Sequence, residues 1–92
     1  MIHSFVCSDT EALFHSQDVR RFKNIERVAR GKLLQLHAAT ELNSLRVPPG
    51  NHLEALKDDR KGQHSIRFND QWRLCFIWRE DGPHEVEIVD CH

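Results

Sequence analysis

The stretch Ser65-Ile66-Arg67-Phe68-Asn69-Asp70-Gln71-Trp72-Arg73-Leu74-Cys75-Phe76-Ile77-Trp78 decides how this chain folds. Apolar and polar side chains alternate on both sides of Asn69-Asp70-Gln71, the period-two pattern of two half-buried strands joined by a turn. Turn length fixes which side chains share a face. A two-residue turn at Asn69-Asp70 sets Ile66 opposite Arg73 and mixes the faces. A three-residue turn through Gln71 pairs Phe68 with Trp72, Ile66 with Leu74 and His64 with Phe76. That register keeps the apolar side chains together, and a slip of one residue would reverse them all, so it is the expected one. It also sets Arg67 directly opposite Arg73 on the other face.

The next turn is expected at Asp81-Gly82-Pro83. Matching Trp78 with Val86 and Phe76 with Ile88 carries the apolar face into a last strand from His84 to His92. The same register sets Cys91 opposite Arg73, so that Arg67, Arg73 and Cys91 form one row across three strands. Asp90 and His92 fall at the neighbouring strand end, and a bulge there would move these last residues by one.

Upstream, Ile2 to Val6 alternates as a short first strand does. Ser8-Asp9-Thr10-Glu11 reads as a capping box that opens a helix through Phe14. A longer helix follows, with Phe22, Ile25, Val28, Ala29, Leu33 and Leu36 on one side and Arg20, Lys23, Arg27 and Arg30 on the others. Those cations form either a solvated helix surface or a platform for a partner or an RNA backbone. Gly31 weakens this helix by about 0.5–1 kcal/mol relative to Ala. Thr40 to Leu45 adds a helical turn before Pro48-Pro49-Gly50 separates a helical half from a sheet half. Neither half can bury its own apolar face, so residues 1–92 form a single α+β domain.

Composition limits the function classes. Apolar residues make up 39% of the chain, enough for a core that needs neither metal nor disulfide. No apolar run is long enough to span a membrane. Met1 to Phe5 lacks a basic region followed by an apolar stretch, so no leader is expected. The expected location is the cytoplasm, with Cys7, Cys75 and Cys91 reduced. A net charge of −1 does not announce a nucleic-acid binder, so the distribution of charge matters more than its sum. One set of cations (Arg20, Arg21, Lys23, Arg27, Arg30, Lys32) lies early. A second (Lys57, Arg60, Lys61, Arg67, Arg73, Arg79) is spread through the sheet half. Among the histidines, His3, His15, His37 and His84 read as surface or cap residues. His3 with Cys7, or Cys91 with His92, lacks paired ligand spacing, so no metal and no cofactor are expected.

Arg67 opposite Arg73 is the most informative pair. Like charges facing each other on a sheet destabilise it by about 0.2–1 kcal/mol. A chain that keeps them has an anion for them: a carboxylate of its own, with Glu54, Asp58 and Glu85 as candidates, or a bound phosphate that fits the planar guanidinium fork.

The segments Leu53 to Arg67, Asn69 to Phe76 and Val89 to His92 together resemble the HigB branch of the RelE toxin superfamily. So do Met1 to Phe5, Ala39 to Leu42 and Pro48 to Asn51, and the likeness runs over essentially the whole chain. It implies a RelE-like fold, with an N-terminal strand and two helices packed on a C-terminal antiparallel sheet. It also implies the toxin of a type II toxin–antitoxin system, a ribosome-dependent mRNA endoribonuclease that enters the ribosomal A site. The implied partners are a HigA-like helix-turn-helix antitoxin, the ribosome and mRNA, with the toxin alone a monomer. Lys57, Arg60, Arg67, Arg73, Asp90 and His92 fall on positions where relatives keep basic or catalytic groups. This chain departs from the pattern at Glu54, where some members have histidine, and at Cys91, where most have tyrosine.

Metal-free RNA cleavage needs a base at the 2′-hydroxyl, cations around the phosphorane and an acid at the leaving oxygen. The candidate catalytic residues are therefore His92, Arg73, Arg67, Glu54 and Asp90. The candidate RNA-binding residues are Lys57, Arg60, Lys61 and Cys91. Two other readings of the resemblance stay open: a non-nucleolytic inhibitor of the gyrase-blocking ParE type, and a degenerate toxin acting mainly through antitoxin binding. Asp90-x-His92 together with Arg67 and Arg73 is the feature the gyrase-blocking branch would not need.

Overall fold

Leu13, Phe22, Ile25, Ala29, Leu33 and Leu36 from the helical half meet Ile66, Leu74, Phe76, Val86 and Ile88 from the sheet half in one core, each at most 5% exposed. The structure, a computed structural model, describes residues 1–90. Helices α1 (Ser8–Phe14) and α2 (Glu26–Ala38) form one layer. Strands β1 (Glu54–Ala55), β2 (His64–Arg67), β3 (Trp72–Arg79) and β4 (Gly82–Asp90) form the other, an antiparallel sheet in the order β1-β2-β3-β4. This is the expected α+β architecture.

Ala29, Leu33 and Leu36 recur at i, i+4 and i+7 and give α2 its buried stripe. Phe22 and Ile25 belong instead to a separate 3-10 turn, Arg20–Ile25. Val28 departs from the expected apolar side and is 48% exposed. Successive residues are about 100° apart around a helix, so the neighbour of Ala29 falls outside a stripe centred on it. The capping box is also corrected. Cys7, in extended conformation, is the N-cap of α1, no side chain caps the helix, and the Glu11 N–H donates to the Cys7 carbonyl at 3.2 Å. Buried Thr10 serves another end: its hydroxyl accepts the Ile88 N–H at 3.1 Å and ties α1 to β4.

Buried Asn51 holds the connection between the halves. Its amide donates to the Leu45 carbonyl at 3.0 Å and to Gln35 at 3.2 Å, and its carbonyl accepts from Lys32. The turns Leu42–Arg46 and Pro49–Asn51 are thereby fastened to α2 around the Pro48-Pro49-Gly50 break.

The β2–β3 register is as expected, with His64, Ile66 and Arg67 opposite Phe76, Leu74 and Arg73. The β3–β4 register is not. The chain turns at Glu80-Asp81, pairing Arg79 with Gly82, Trp78 with Pro83 and Ile77 with His84. Gly82, at φ 120°, closes the turn, and a Cβ there would lie 3.0 Å from the Met1 carbonyl. A bulge between Cys75 and Ile77, with Glu85 at φ 51°, then resets the ladder so that Leu74 meets Ile88 and Arg73 meets Val89. Val86 and Ile88 still face the core, and the place opposite Arg73 belongs to Val89.

The bulge sits where the N-terminal segment docks. The Glu85 N–H donates to the Ser4 hydroxyl at 2.8 Å and the Val86 N–H to the Ser4 carbonyl at 3.0 Å. The expected first strand contracts to a single parallel bridge, Phe5 with Val86, yet residues 3–6 still cover the outer edge of β4.

Truncation separates core from surface. Leu74→Ala is expected to cost about 2–5 kcal/mol of unfolding free energy. Leu34→Ala, at a position 60% exposed on α2, should stay within about 0.5 kcal/mol. Urea denaturation followed by circular dichroism checks both.

Candidate functional site on the outer face of the sheet

Because Ile66, Leu74 and Ile88 point into the core, the alternation of the strands sends Ser65, Arg67, Arg73, Cys75, Glu87 and Val89 to the opposite face. Two rows result. Arg67, Arg73 and Val89 form one; Glu54, Ser65, Cys75 and Glu87 form the next. The hairpin loop between the arginines is shaped by Asn69, whose side-chain carbonyl accepts the N–H groups of Gln71 at 2.8 Å and Trp72 at 2.9 Å.

Each guanidinium on this face has a neutral anchor and a carboxylate. Arg73 donates to the Ser65 hydroxyl at 3.0 Å and pairs with Glu54. Arg67 donates to the Asn69 carbonyl at 3.0 Å and pairs with Asp70. Arg60, on the turn Asp58–Arg60, reaches Gln63 at 3.1 Å and Glu87 at 3.2 Å. The facing pair is thus answered by the protein's own carboxylates. Glu54 is one of the three candidates named from sequence, and Asp70 was not among them. Glu85 instead lies 3.7 Å from Arg79. The guanidinium side chains are 24% (Arg73) and 31% (Arg67) exposed, whereas Glu54 is 51% and Asp70 98% exposed. The cations are held by the sheet and the anions rest on them from outside.

Among the remaining candidates, Lys57 and Lys61 are exposed beside the Asp58–Arg60 turn and form no ion pair among the described residues. Asp90 pairs with Trp72 across the ladder, so it stands at the strand end on the parity opposite to Arg73, and Gln71 donates to it at 3.2 Å. Val89 takes the place opposite Arg73 that the sequence assigned to Cys91. Cys91 and His92 lie outside the described residues.

The early cation cluster divides. Arg30 is structural, bonding Glu26 at 2.9 Å and the carbonyls of Leu13 at 3.1 Å and Gln17 at 3.0 Å. Arg21 pairs with Asp9 at 3.1 Å and donates to the Cys7 thiol at 3.2 Å. Partial burial pushes that thiol up, but hydrogen bonds from Thr10 and Asp9 and the Arg21 charge outweigh it and hold Cys7 below its ordinary value. Arg20, Lys23 and Arg27 stay exposed.

Ser65, Asp70 and Glu87 escaped the sequence reading, although the register that pairs Arg67 with Arg73 already puts Ser65 on their face. A second cluster escaped it too. His3 and His84, expected as isolated surface or cap residues, stack with ring centroids 4.8 Å apart and both meet Asp81. His37 is a partner rather than a cap, accepting the Ile2 N–H at 3.1 Å.

The fold resembles that of YafQ from Escherichia coli BL21(DE3), with a TM-score of 0.59 at 15% identity over 94% of this chain and 89% of that one. At that identity the likeness speaks for the fold alone, a RelE-like one. The family model of the RelE-like toxin of the type II toxin–antitoxin system HigB matches residues 4–92, and the chain belongs to this family of toxins. It is 47% identical to Toxin HigB-1 of Vibrio cholerae serotype O1 over 69 residues, 75% of this chain and 72% of that one. A Haemophilus influenzae protein without an assigned function is 42% identical over 65 residues, 71% of this chain and 64% of that protein. As a type II toxin it has an antitoxin for a partner. No helix among the described residues is long and apolar enough to cross a membrane.

Arg73→Ala leaves the buried Ser65 hydroxyl without its donor and is expected to cost about 1 kcal/mol of stability. Glu54→Gln, at a half-exposed pair, should change stability by less than about 0.5 kcal/mol. Paired urea denaturation curves distinguish the two.

Proposed function

We propose that this toxin is a ribosome-dependent mRNA endoribonuclease that cleaves by attack of a 2′-hydroxyl on the adjacent phosphate. One observation carries this reading: Arg67 and Arg73 face each other, each oriented by a neutral anchor and each covered by an exposed carboxylate. A phosphate that displaces Glu54 and Asp70 meets two guanidiniums already in position, and developing charge on a phosphorane is what such preset donors stabilise.

In the proposed reaction a base takes the 2′-hydroxyl proton and the oxygen attacks phosphorus. The bond to the 5′-oxygen then breaks, and an acid protonates that oxygen. The products are a 2′,3′-cyclic phosphate and a 5′-hydroxyl, with no metal ion in the scheme. Glu54, freed from Arg73, is the proposed base, and His92 the proposed acid because its ordinary pKa lies near neutrality. Lys57, Lys61 and Arg60 would hold flanking phosphates. Cys91, at a position where most relatives carry tyrosine, is proposed to contact the RNA, and Asp90 is proposed to assist the catalysis. The ribosomal A site supplies the positioning that so small a site lacks. A HigA-like helix-turn-helix antitoxin in the cytoplasm would hold the toxin in check.

The carboxylates on both arginines also support the alternative of a toxin that acts mainly through its antitoxin. Mapping of mRNA 5′ ends after induction separates the two. Arg73→Ala is expected to abolish growth inhibition and the mRNA cuts while antitoxin binding persists. With a net charge of −1, wild type should cut translated message and leave ribosome-free RNA nearly intact. Efficient digestion of naked RNA would refute the ribosome dependence.

A chain ending at Cys91 should lose about 10²–10⁴-fold in cleavage, as for a lost acid or base. Cys91→Tyr should raise cleavage, since an aromatic ring stacks on an unpaired base for about 1–3 kcal/mol. If the shortened chain cuts as well as wild type, the role given to His92 is wrong.

A further inference from the structure

We propose that His3, Asp81 and His84 form a zinc site that staples the N-terminal segment to the β3–β4 hairpin. Their three ligand atoms lie within 4.8 Å of one another. The His84 Nε2 is 2.6 Å from one Asp81 carboxylate oxygen, and the His3 Nε2 is 3.7 Å from the other. Tetrahedral zinc at about 2.0–2.1 Å from nitrogen and oxygen donors sets ligands roughly 3.3 Å apart, so these separations bracket the geometry a zinc ion needs. The two imidazoles are nearly parallel, 15° apart, and aim the same nitrogen at the same residue. Each Nε2 here donates a hydrogen bond, to the Asp81 carbonyl from His3 and to its carboxylate from His84. Zinc would take the Nε2 lone pair of each neutral imidazole, the ring proton passing through solvent to Nδ1, and these two hydrogen bonds would give way to metal–ligand bonds.

The backbone brings these residues together independently of their side chains. The His3 N–H donates to the Pro83 carbonyl at 3.0 Å. Gly82, at φ 120°, lets the segment approach, since an added Cβ would lie 3.0 Å from the Met1 carbonyl. Glu80 precedes Asp81 in the chain, and the cations nearby are Arg79, 3.7 Å from Glu85, and the Met1 amino terminus, whose nitrogen would lie 3.5 Å from a Cβ on Gly82. The donor set of two imidazoles and a carboxylate suits zinc and leaves a fourth position for water. The site lies at the far end of β3 from Arg73, about 20 Å away at the rise of a strand. Its role is to hold the fold together, and it stands apart from the cleavage chemistry proposed above.

The test is zinc titration of the full chain without an affinity tag, in competition with a chromophoric chelator, beside thermal unfolding with and without zinc. One zinc per chain is expected, with a raised melting temperature because the ion binds the folded state. His84→Ala and Asp81→Asn should each weaken binding at least tenfold and remove the thermal shift, and so should His3→Ala, which leaves the hairpin intact. Cobalt should give a tetrahedral spectrum without a thiolate charge-transfer band. Equal zinc affinity in wild type and all three variants, no binding at micromolar zinc, or a thiolate band that assigns the metal to the cysteines would each overturn the proposal.

Discussion

The row Ile66, Leu74 and Ile88 is buried in the core that the sheet shares with the helical half, and its register governs most of what this protein presents to solvent. Full burial of each such side chain contributes about 1.5–3 kcal/mol, whereas two facing guanidiniums cost at most about 1 kcal/mol. Burial wins, and period-two alternation then leaves Arg67 and Arg73 no place except opposite each other on the outer face. The repulsion is met locally, by Asp70 in the intervening turn and by Glu54 on the edge strand. A site for an anion is thus a by-product of a register chosen by the core.

The same row explains why one hairpin was legible in the sequence and the other was not. Between β2 and β3 the deciding choice was the length of a loop within the hairpin, and only one length kept the apolar side chains together. Between β3 and β4 the ladder is broken by a bulge whose freed N–H groups go to Ser4, on a segment 81 residues away in the chain from Glu85. A regular ladder was the natural reading of Trp72 to His92, and no nearby residue announces the break. The error preserved the face of every core residue, because the bulge restores parity before Val86, and moved the pairing near Arg73 by two positions. Hence the arginines were placed correctly, while Val89 stands where Cys91 was expected.

Side-chain partnerships were harder to see than strand pairings. Cations can be counted from a sequence, but which carboxylate answers each one depends on rotamers and on loops such as Asp58–Arg60. Arg30 looked like one more cation on a helix face and proves to be a clamp on the Leu13 and Gln17 carbonyls. His3 and His84 meet only because the N-terminal segment runs alongside β4, which no periodicity within either segment encodes.

These partnerships bear on how a protein of nearly neutral charge can act on a polyanion. Non-specific RNA affinity comes from cations that neutralise phosphates, and here three arginines on the outer face already have carboxylates. Exchanging Glu54 or Asp70 for a phosphate trades one exposed ion pair for another, and each such pair contributes only about 0–1 kcal/mol in water. The exchange adds little affinity and costs little, so a free RNA strand gains almost nothing by binding. What the exchange does provide is orientation, because Ser65 and Asn69 hold the guanidiniums before and after it. A face built this way is poorly suited to capturing RNA and well suited to acting on RNA that another body has already positioned.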